Sequence, residues 1–445
     1  MQLTKYLLLV CLGMVLSFSS CLREECDAVL TYIGYEPVIV YPDDFRVTIE
    51  ATSPQELCAP AGFYYYQNHL MVIERNEGLH IINNNNPAAP RSVSFLPVKG
   101  AQALAVRNDV LYINNVTDLV TFDLSDPTSP QMLGRTEDVF TAYSLFGHGQ
   151  VPNGGLVIDY VETELTEFIS CSDVRSNDWW FWRDGIFFIN NSRNQGIAFE
   201  ASLDFNNAVS PLGSAGGEQN VGIGGSLARF TINNGTLYAV DEQQLITLDL
   251  SNPAQPTRQT PIQLGWGIET IFPYGDLLFI GSRTGMHIYD GSDPLNPVQL
   301  SVFQHAQSCD PVYVNGDLAY VTLRSGRDED WCNTVTNRLE IVNISDPTNP
   351  TLVEAYDLTF PAGLTVTDEL LFLCEGDHGF KVFDLQPDGL LGEQLIHRTD
   401  IDAMDVIGLH WLQQLITIDE TGLAQMSYDN DGNLDDLSSL TICDN

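Results

Sequence analysis

Basic residues are scarce in this chain. Its 445 residues include only 19 lysines and arginines against 59 aspartates and glutamates, a formal net charge of −40. A surface of that sign repels phosphate backbones and anionic headgroups, which argues against nucleic acid as a partner and against electrostatic membrane binding. Helical periodicity is nearly absent. No Cys-x-x-Cys or His-x-x-x-His spacing occurs, so a structural zinc site has no support. The eight histidines stand in no recognisable Ser/His/Asp or His/Glu motif, and none is assigned a catalytic role. Gly222-Ile223-Gly224-Gly225 does not sit between a strand and a helix, so it is read as a flexible return and not as a nucleotide loop.

Long apolar runs are missing except at the start. Lys5 supplies a positive leader, Tyr6 to Phe18 an apolar stretch too short for an ordinary spanning helix, and Ser19-Ser20-Cys21 a small-residue cleavage site. Residues 1–20 are therefore expected to be a signal peptide. Phe18-Ser19-Ser20-Cys21 resembles the bacterial lipoprotein box, which implies that Cys21 becomes the acylated first residue of the mature chain. Several acyl chains, at about 0.8 kcal/mol per buried methylene, anchor almost permanently. The acidic stretch Leu22-Arg23-Glu24-Glu25-Cys26-Asp27 resembles an export tag to the outer face of the outer membrane. Residues 21–45 are expected to be a tether, with Pro37 and Pro42 limiting regular structure.

The remainder is repetitive. A short apolar strand followed by a proline turn recurs, as in Ser125-Asp126-Pro127-Thr128-Ser129-Pro130, Ser251-Asn252-Pro253-Ala254-Gln255-Pro256, Ser292-Asp293-Pro294-Leu295-Asn296-Pro297 and Ser345-Asp346-Pro347-Thr348-Asn349-Pro350. Asp or Asn bonds local amides there, and Pro presets its own backbone angle and pushes the preceding residue out of the helical region. The strand before each such unit begins at residues 70, 111, 156, 237, 278, 319, 371 and 415. A period of 40 to 45 residues with four short strands is that of a β-propeller blade. The expectation is all-β: a β-propeller over residues 46–445 with eight blades, seven plus an excursion being the alternative. Blade three, at Leu156-Val157-Ile158-Asp159-Tyr160, is degenerate, and a long irregular insertion covers about 171–220.

Gly78-Leu79-His80-Ile81-Ile82-Asn83 with its Asn-Pro-Ala-Ala-Pro turn, and Leu119 to Pro130, resemble LVIVD repeats. The whole chain is similar to LVIVD-repeat lipoproteins of Bacteroidetes-type bacteria, sharing Gly34-Tyr35-Glu36-Pro37 and the segment Gly224-Gly225-Ser226-Leu227-Ala228-Arg229-Phe230. It departs from them in blade three and in residues 171–220. The resemblance implies a surface propeller and transfers no catalytic residues.

Cys309 and Cys332 belong to one repeat and are paired here as a disulfide candidate, worth about 3 kcal/mol on a chain-entropy model. Cys374 falls in an apolar strand and reads as a small buried hydrophobe. Cys26, Cys58, Cys171 and Cys443 stay unassigned. Cys26, Cys58 and Cys443 lie near the chain ends, where any pair would staple a ring. Asp429, Asp431 and Asp435 crowd around Gly432 and are weak calcium candidates, since the bidentate carboxylate of a calcium loop is missing. Trp179, Trp180, Phe181 and Trp182 form a candidate binding patch for a partner or glycan. His305, Asp310, Asp377 and His378 fall near strand ends, where propeller loops gather.

These features point to an outer-membrane protein, lipid-anchored and facing the cell exterior, that acts as a non-catalytic scaffold for a protein or glycan. The alternative is a propeller hydrolase or lyase with an acidic and histidine site at the channel mouth, since fold alone does not decide function.

Overall fold

The computed structural model describes residues 27–141, 154–170, 180–183, 186–189, 220–241, 243–306, 311–325 and 336–443, with residues 27–36, 160, 162–170, 180–183 and 186–189 described as backbone alone. Two compact units are present. One takes residues 37–160 and 197–445, and the other takes residues up to 36 together with 161–196.

The larger unit is a β-propeller of seven blades, each an antiparallel sheet whose strands follow one another in the chain. The blades run over residues 60–96, 104–136, 230–263, 268–304, 312–357, 364–398 and 405–441. Their inner three strands are apolar and buried on both faces, as in Leu370–Cys374, while an outermost strand such as Thr351–Asp357 is mostly exposed. That gradient follows from stacking the sheets face to face around an axis. Seven apolar clusters result, one per junction. Phe272, Val312 and Val321 fill the gap between the fourth and fifth blades, for example, and Phe63, Val72, Ile407 and Ile416 fill the gap between the first and the last.

The expected eighth register does not exist. Leu156–Ser170 is a strand, but it is far longer than its counterparts in the blades and belongs to a separate four-stranded sheet. In that sheet the strand order is Leu156–Ser170, Asp27–Val40, Ile186–Ile189, Trp180–Arg183. The expected tether is therefore regular over much of its length. Ile33, Gly34 and Tyr35 pair with Ile189, Phe188 and Phe187, ahead of Pro37, where no amide is available. Pro42 opens a short helix, Pro42–Phe45, at a position where its missing N–H costs nothing. Phe45 is buried, and the Arg46 guanidinium bonds the buried Asp118 carboxylate at 2.9 and 3.0 Å, with Arg135 on its other side at 3.0 Å. Part of the expected irregular insertion is a hairpin, Trp180–Arg183 against Ile186–Ile189.

The recurrent turns do two jobs. Within each blade the amide just past the third strand donates to the first turn, from Asn84 to Asn68 in the first blade through Tyr428 to Gln413 in the seventh. Between blades, a hydroxyl on the outermost strand donates to a proline carbonyl in the next blade's turn. Ser94 reaches Pro127 at 2.8 Å, Thr136 reaches Pro256 at 3.2 Å, and Ser301 reaches Pro347 at 2.6 Å. Tyr238 and Tyr320 make equivalent bonds from second strands, to Pro294 at 2.7 Å and Gly389 at 3.0 Å. Each such bond contributes about 1 kcal/mol.

Ring closure repeats the device. Ser438 donates to the Pro87 carbonyl at 2.6 Å, and the buried amides of Asn84 and Gln425 exchange bonds of 2.8 and 2.9 Å. Cys58 and Cys443, left unassigned by the sequence, form a disulfide across 385 residues of chain. Cross-linking so long a loop restricts the unfolded chain by about 6 kcal/mol in the entropy model. The Cys58→Ser/Cys443→Ser variant should therefore lose several degrees in Tm, with hydrogen exchange accelerated first in the strands at 60–96 and 405–441. An unchanged Tm with uniform exchange would show that side-chain bonding alone closes the ring.

Candidate functional site

The Gly-rich stretch before the third blade is buried, contrary to its reading as a flexible return. The Asn220 carbonyl accepts from Asn108, Val221 bridges Arg107, and Ile223 and Gly224 pair with Tyr65 and Tyr64 along the free edge of the first blade's innermost strand. Ser226 then meets Asp405 and Leu364, the first residues of the innermost strands of the seventh and sixth blades, and the Ala228 carbonyl accepts from Ile271 in the fourth. The segment thus bonds to the inner strands of the first, second, fourth, sixth and seventh blades. Glycine is needed for this passage. A Cβ at Gly225 would lie 1.8 Å from Asp405 Oδ2.

Asp405 fastens the thread. Its Oδ1 accepts the Ser226 amide at 3.1 Å, the Ser226 hydroxyl at 3.2 Å and the Val406 amide at 2.9 Å, while Ser226 Oγ accepts the Leu364 amide at 2.9 Å. The residue is fully buried. Burial pushes its carboxyl up to about 7, and the Val406 and Ser226 donors only partly oppose that.

A second feature is open. A cleft of about 430 Å³ lies at the junction of the second and third blades, on the side where second strands end and outermost strands lead onward. Pro261 lacks the N–H that a continuous strand would need, and the outermost strand of the third blade is split around it into Thr257–Arg258 and Ile262–Gln263. The second piece carries Gln263 to the cleft, and the loop after it carries Trp266. Trp266 is 65% exposed, between Gly265 and Gly267, whose φ angles of 111° and 81° favour glycine. The floor holds Phe140 stacked on Phe230 at 5.3 Å. Asp241 on the wall accepts the amides of Gln243 and Gln244 at 2.9 Å each, Gln244 Nε2 at 2.6 Å and Thr141 Oγ1 at 2.8 Å. Gln263 Nε2 extends the chain to Gln244 Oε1 at 3.2 Å. None of these residues was singled out by sequence. Gly265-Trp266-Gly267 after a strand-breaking proline was the available signal.

Among the described residues, those expected to carry chemistry stand apart in the contacts they make. Cys21, Cys26, Cys171, Cys309, Asp310, Cys332 and Trp179 lie outside the described residues. Trp180, Phe181 and Trp182 lie on the hairpin of the smaller unit. Cys374 is buried in its strand, its thiol pushed up by desolvation. Asp429 organises its own turn, accepting the amides of Asp431 at 3.0 Å and Asn433 at 2.9 Å, and Asp435 pairs with Ser427 in the last sheet. Among the described residues no three His, Cys, Asp or Glu side chains gather as metal ligands. His378 and Asp377 are exposed and 3.8 Å apart, and His305 Nδ1 meets the Ala306 carbonyl. His410 engages Tyr428 and Thr365 at 2.9 Å each, and burial lowers its pKa to about 4.

The LVIVD repeat model matches residues 100–138, 232–260 and 333–358, within the second, third and fifth blades. Curated protein sequences yielded no match. Several solved structures share the fold. A protein from Lactobacillus plantarum is 10% identical over 89% of this chain and 96% of its own, with a TM-score of 0.53. The periplasmic gluconolactonase of Pseudomonas aeruginosa is 9% identical over 93% and 97%, with a TM-score of 0.53. A candidate 6-phosphogluconolactonase from Bacteroides fragilis is 11% identical over 88% and 97%, also at 0.53.

Asp405 makes stability depend on pH. Its folded pKa of about 7 lies above an unfolded value of about 3.9. The proton's contribution is complete below the unfolded value and is lost as pH rises through the folded one. Asp405→Asn should therefore melt at a higher temperature than wild type at pH 8, and the gap should shrink as pH falls to 5. Parallel Tm curves across that range would show that the carboxyl is not buried as described.

Proposed function

We propose that this protein is a lipid-anchored propeller on the outer-membrane surface that works as a non-catalytic scaffold for a protein or glycan. The thread from Val221 to Ala228 is the observation that carries this reading. Its main chain and the Ser226 hydroxyl take up hydrogen-bonding groups at the inner edge of the first blade and at the starts of the sixth and seventh, which supports a structural use of those positions. Two buried titratable groups are committed to structure: Asp405 fastens the thread, and both ring nitrogens of His410 are bonded. An open surface lies at the cleft between the second and third blades, and the aromatic strands at 180–183 and 186–189 stand as a second candidate contact. The anchor rests on the lipobox resemblance at Cys21, and the acidic residues after it favour the outer face.

The rival reading is a propeller hydrolase or lyase. Two structures of like fold are called gluconolactonase or candidate 6-phosphogluconolactonase, but at 9% and 11% identity the likeness carries the fold alone. Purified protein incubated with sugar lactones, glycosides and polyuronides should turn over none of them faster than heat-inactivated protein. Turnover that disappears in a His378→Ala variant would overturn the scaffold reading.

The anchor has its own test. Cys21→Ala should abolish metabolic acyl labelling and move the protein from the outer-membrane fraction to a soluble one. Wild-type protein should be digested by protease added to intact cells. Retention of the variant in the membrane would remove the lipid from the proposal.

A further inference from the structure

We infer that the cleft at the junction of the second and third blades is a binding site for a neutral saccharide, with Trp266 as its stacking platform. This deepens the scaffold reading and rests on it.

The charge balance of the lining selects the ligand class. In a chain of net charge −40, the described residues lining the cleft include one guanidinium, Arg229, and one carboxylate, Asp241. An anionic ligand would meet the repulsive field of the whole molecule. A cationic ligand would need carboxylate oxygens, and those of Asp241 already accept four hydrogen bonds within the wall. A purely apolar ligand would leave unused the hydrogen-bonding capacity that Gln244 and Gln263 retain beyond their bonds to each other and to Asp241. Side-chain amides donate and accept at once, as sugar hydroxyls do. A neutral polyhydroxyl compound is the chemistry that remains.

The aromatic geometry agrees. An indole left 65% exposed forfeits much of its burial energy, and here two glycines in left-handed or neighbouring backbone regions hold it outward at the rim. One face of a pyranose ring presents C–H groups that stack on an aromatic plane, while its hydroxyls point sideways to the amides. A volume of about 430 Å³ lies in the usual range for a small-molecule site and suits a short oligosaccharide end. The wall is also pre-ordered: Gln263, Gln244, Asp241 and Thr141 form one hydrogen-bonded chain. Ordering before binding lowers the entropy cost of capture.

The test uses the purified full chain on an array of neutral hexose and N-acetylhexosamine oligosaccharides beside sialylated and sulfated ones, followed by fluorescence titration with those retained. Neutral glycans alone should bind, Trp266→Ala should weaken binding at least tenfold, Gln263→Ala should weaken it several-fold, and Trp266→Phe should restore most of it. Unchanged Tm values would confirm that the variants keep the fold. No neutral glycan bound, preference for acidic glycans, or binding indifferent to Trp266 would overturn the saccharide assignment and leave the scaffold reading intact. Binding followed by chemical turnover of the bound glycan would overturn the scaffold reading and leave the ligand class.

Discussion

Everything in the larger unit depends on one constraint: seven sheets arranged around an axis must close on themselves without a shared strand. All four strands of the first blade come from residues 60–96, and all four of the last come from residues 405–441. No backbone ladder therefore joins the chain's two ends. Closure is left to apolar packing between Phe63, Val72, Ile407 and Ile416, to the hydroxyl of Ser438 on the Pro87 carbonyl, to the Asn84–Gln425 amide exchange, to a single backbone bond from Cys443 to Leu57, and to the Cys58–Cys443 disulfide. A hydroxyl-to-turn bond of this kind serves the five junctions from the first blade to the sixth, and Arg398 bonds Asp436 between the sixth and the seventh, so the closing junction resembles most of the others with a covalent bond added. A disulfide in that place fits a chain folded in an oxidising compartment.

The closed ring creates a channel, and the channel explains the thread. Inner strands end in unpaired edges that need partners, because buried amides and carbonyls left without hydrogen bonds are costly. Residues 221–224 give the first blade's inner edge such a partner, and Ser226 ties the start of the sixth blade to the start of the seventh. The filler is thus part of the hydrogen-bonding economy of the ring.

How much of this was legible in the sequence depends on how local each cause is. The turns were legible because Asp123, Asp249 and Asp290 cap their own following amides within two residues. The blade count was off by one because Leu156–Ser170 is a genuine strand whose partner, Asp27–Val40, lies far away in the chain. Alternation identifies a strand but not the sheet it joins. The Gly-rich thread was misread for a similar reason. Glycine permits both flexibility and close approach, and only the position of Asp405 against Gly225 decides between them. The disulfide followed neither spacing nor motif, since connectivity is a property of the closed ring. The cleft escaped notice because its residues come from two blades and a connection, and no window of sequence holds them together.

The acidity of the chain takes on a specific meaning beside the cleft. Fifty-nine carboxylates keep the exterior hydrated and repel other anions, so a surface of this kind gains little from adhesion driven by charge. Selectivity must then come from short-range groups held in fixed positions. The proposed cleft meets that requirement: Asp241 is held by its own wall, the side-chain amides are aligned in series, and Trp266 is presented by backbone angles that glycine tolerates best. In the saccharide reading, recognition would rest on stacking and hydrogen-bond geometry at a blade junction, set in a field that repels anions.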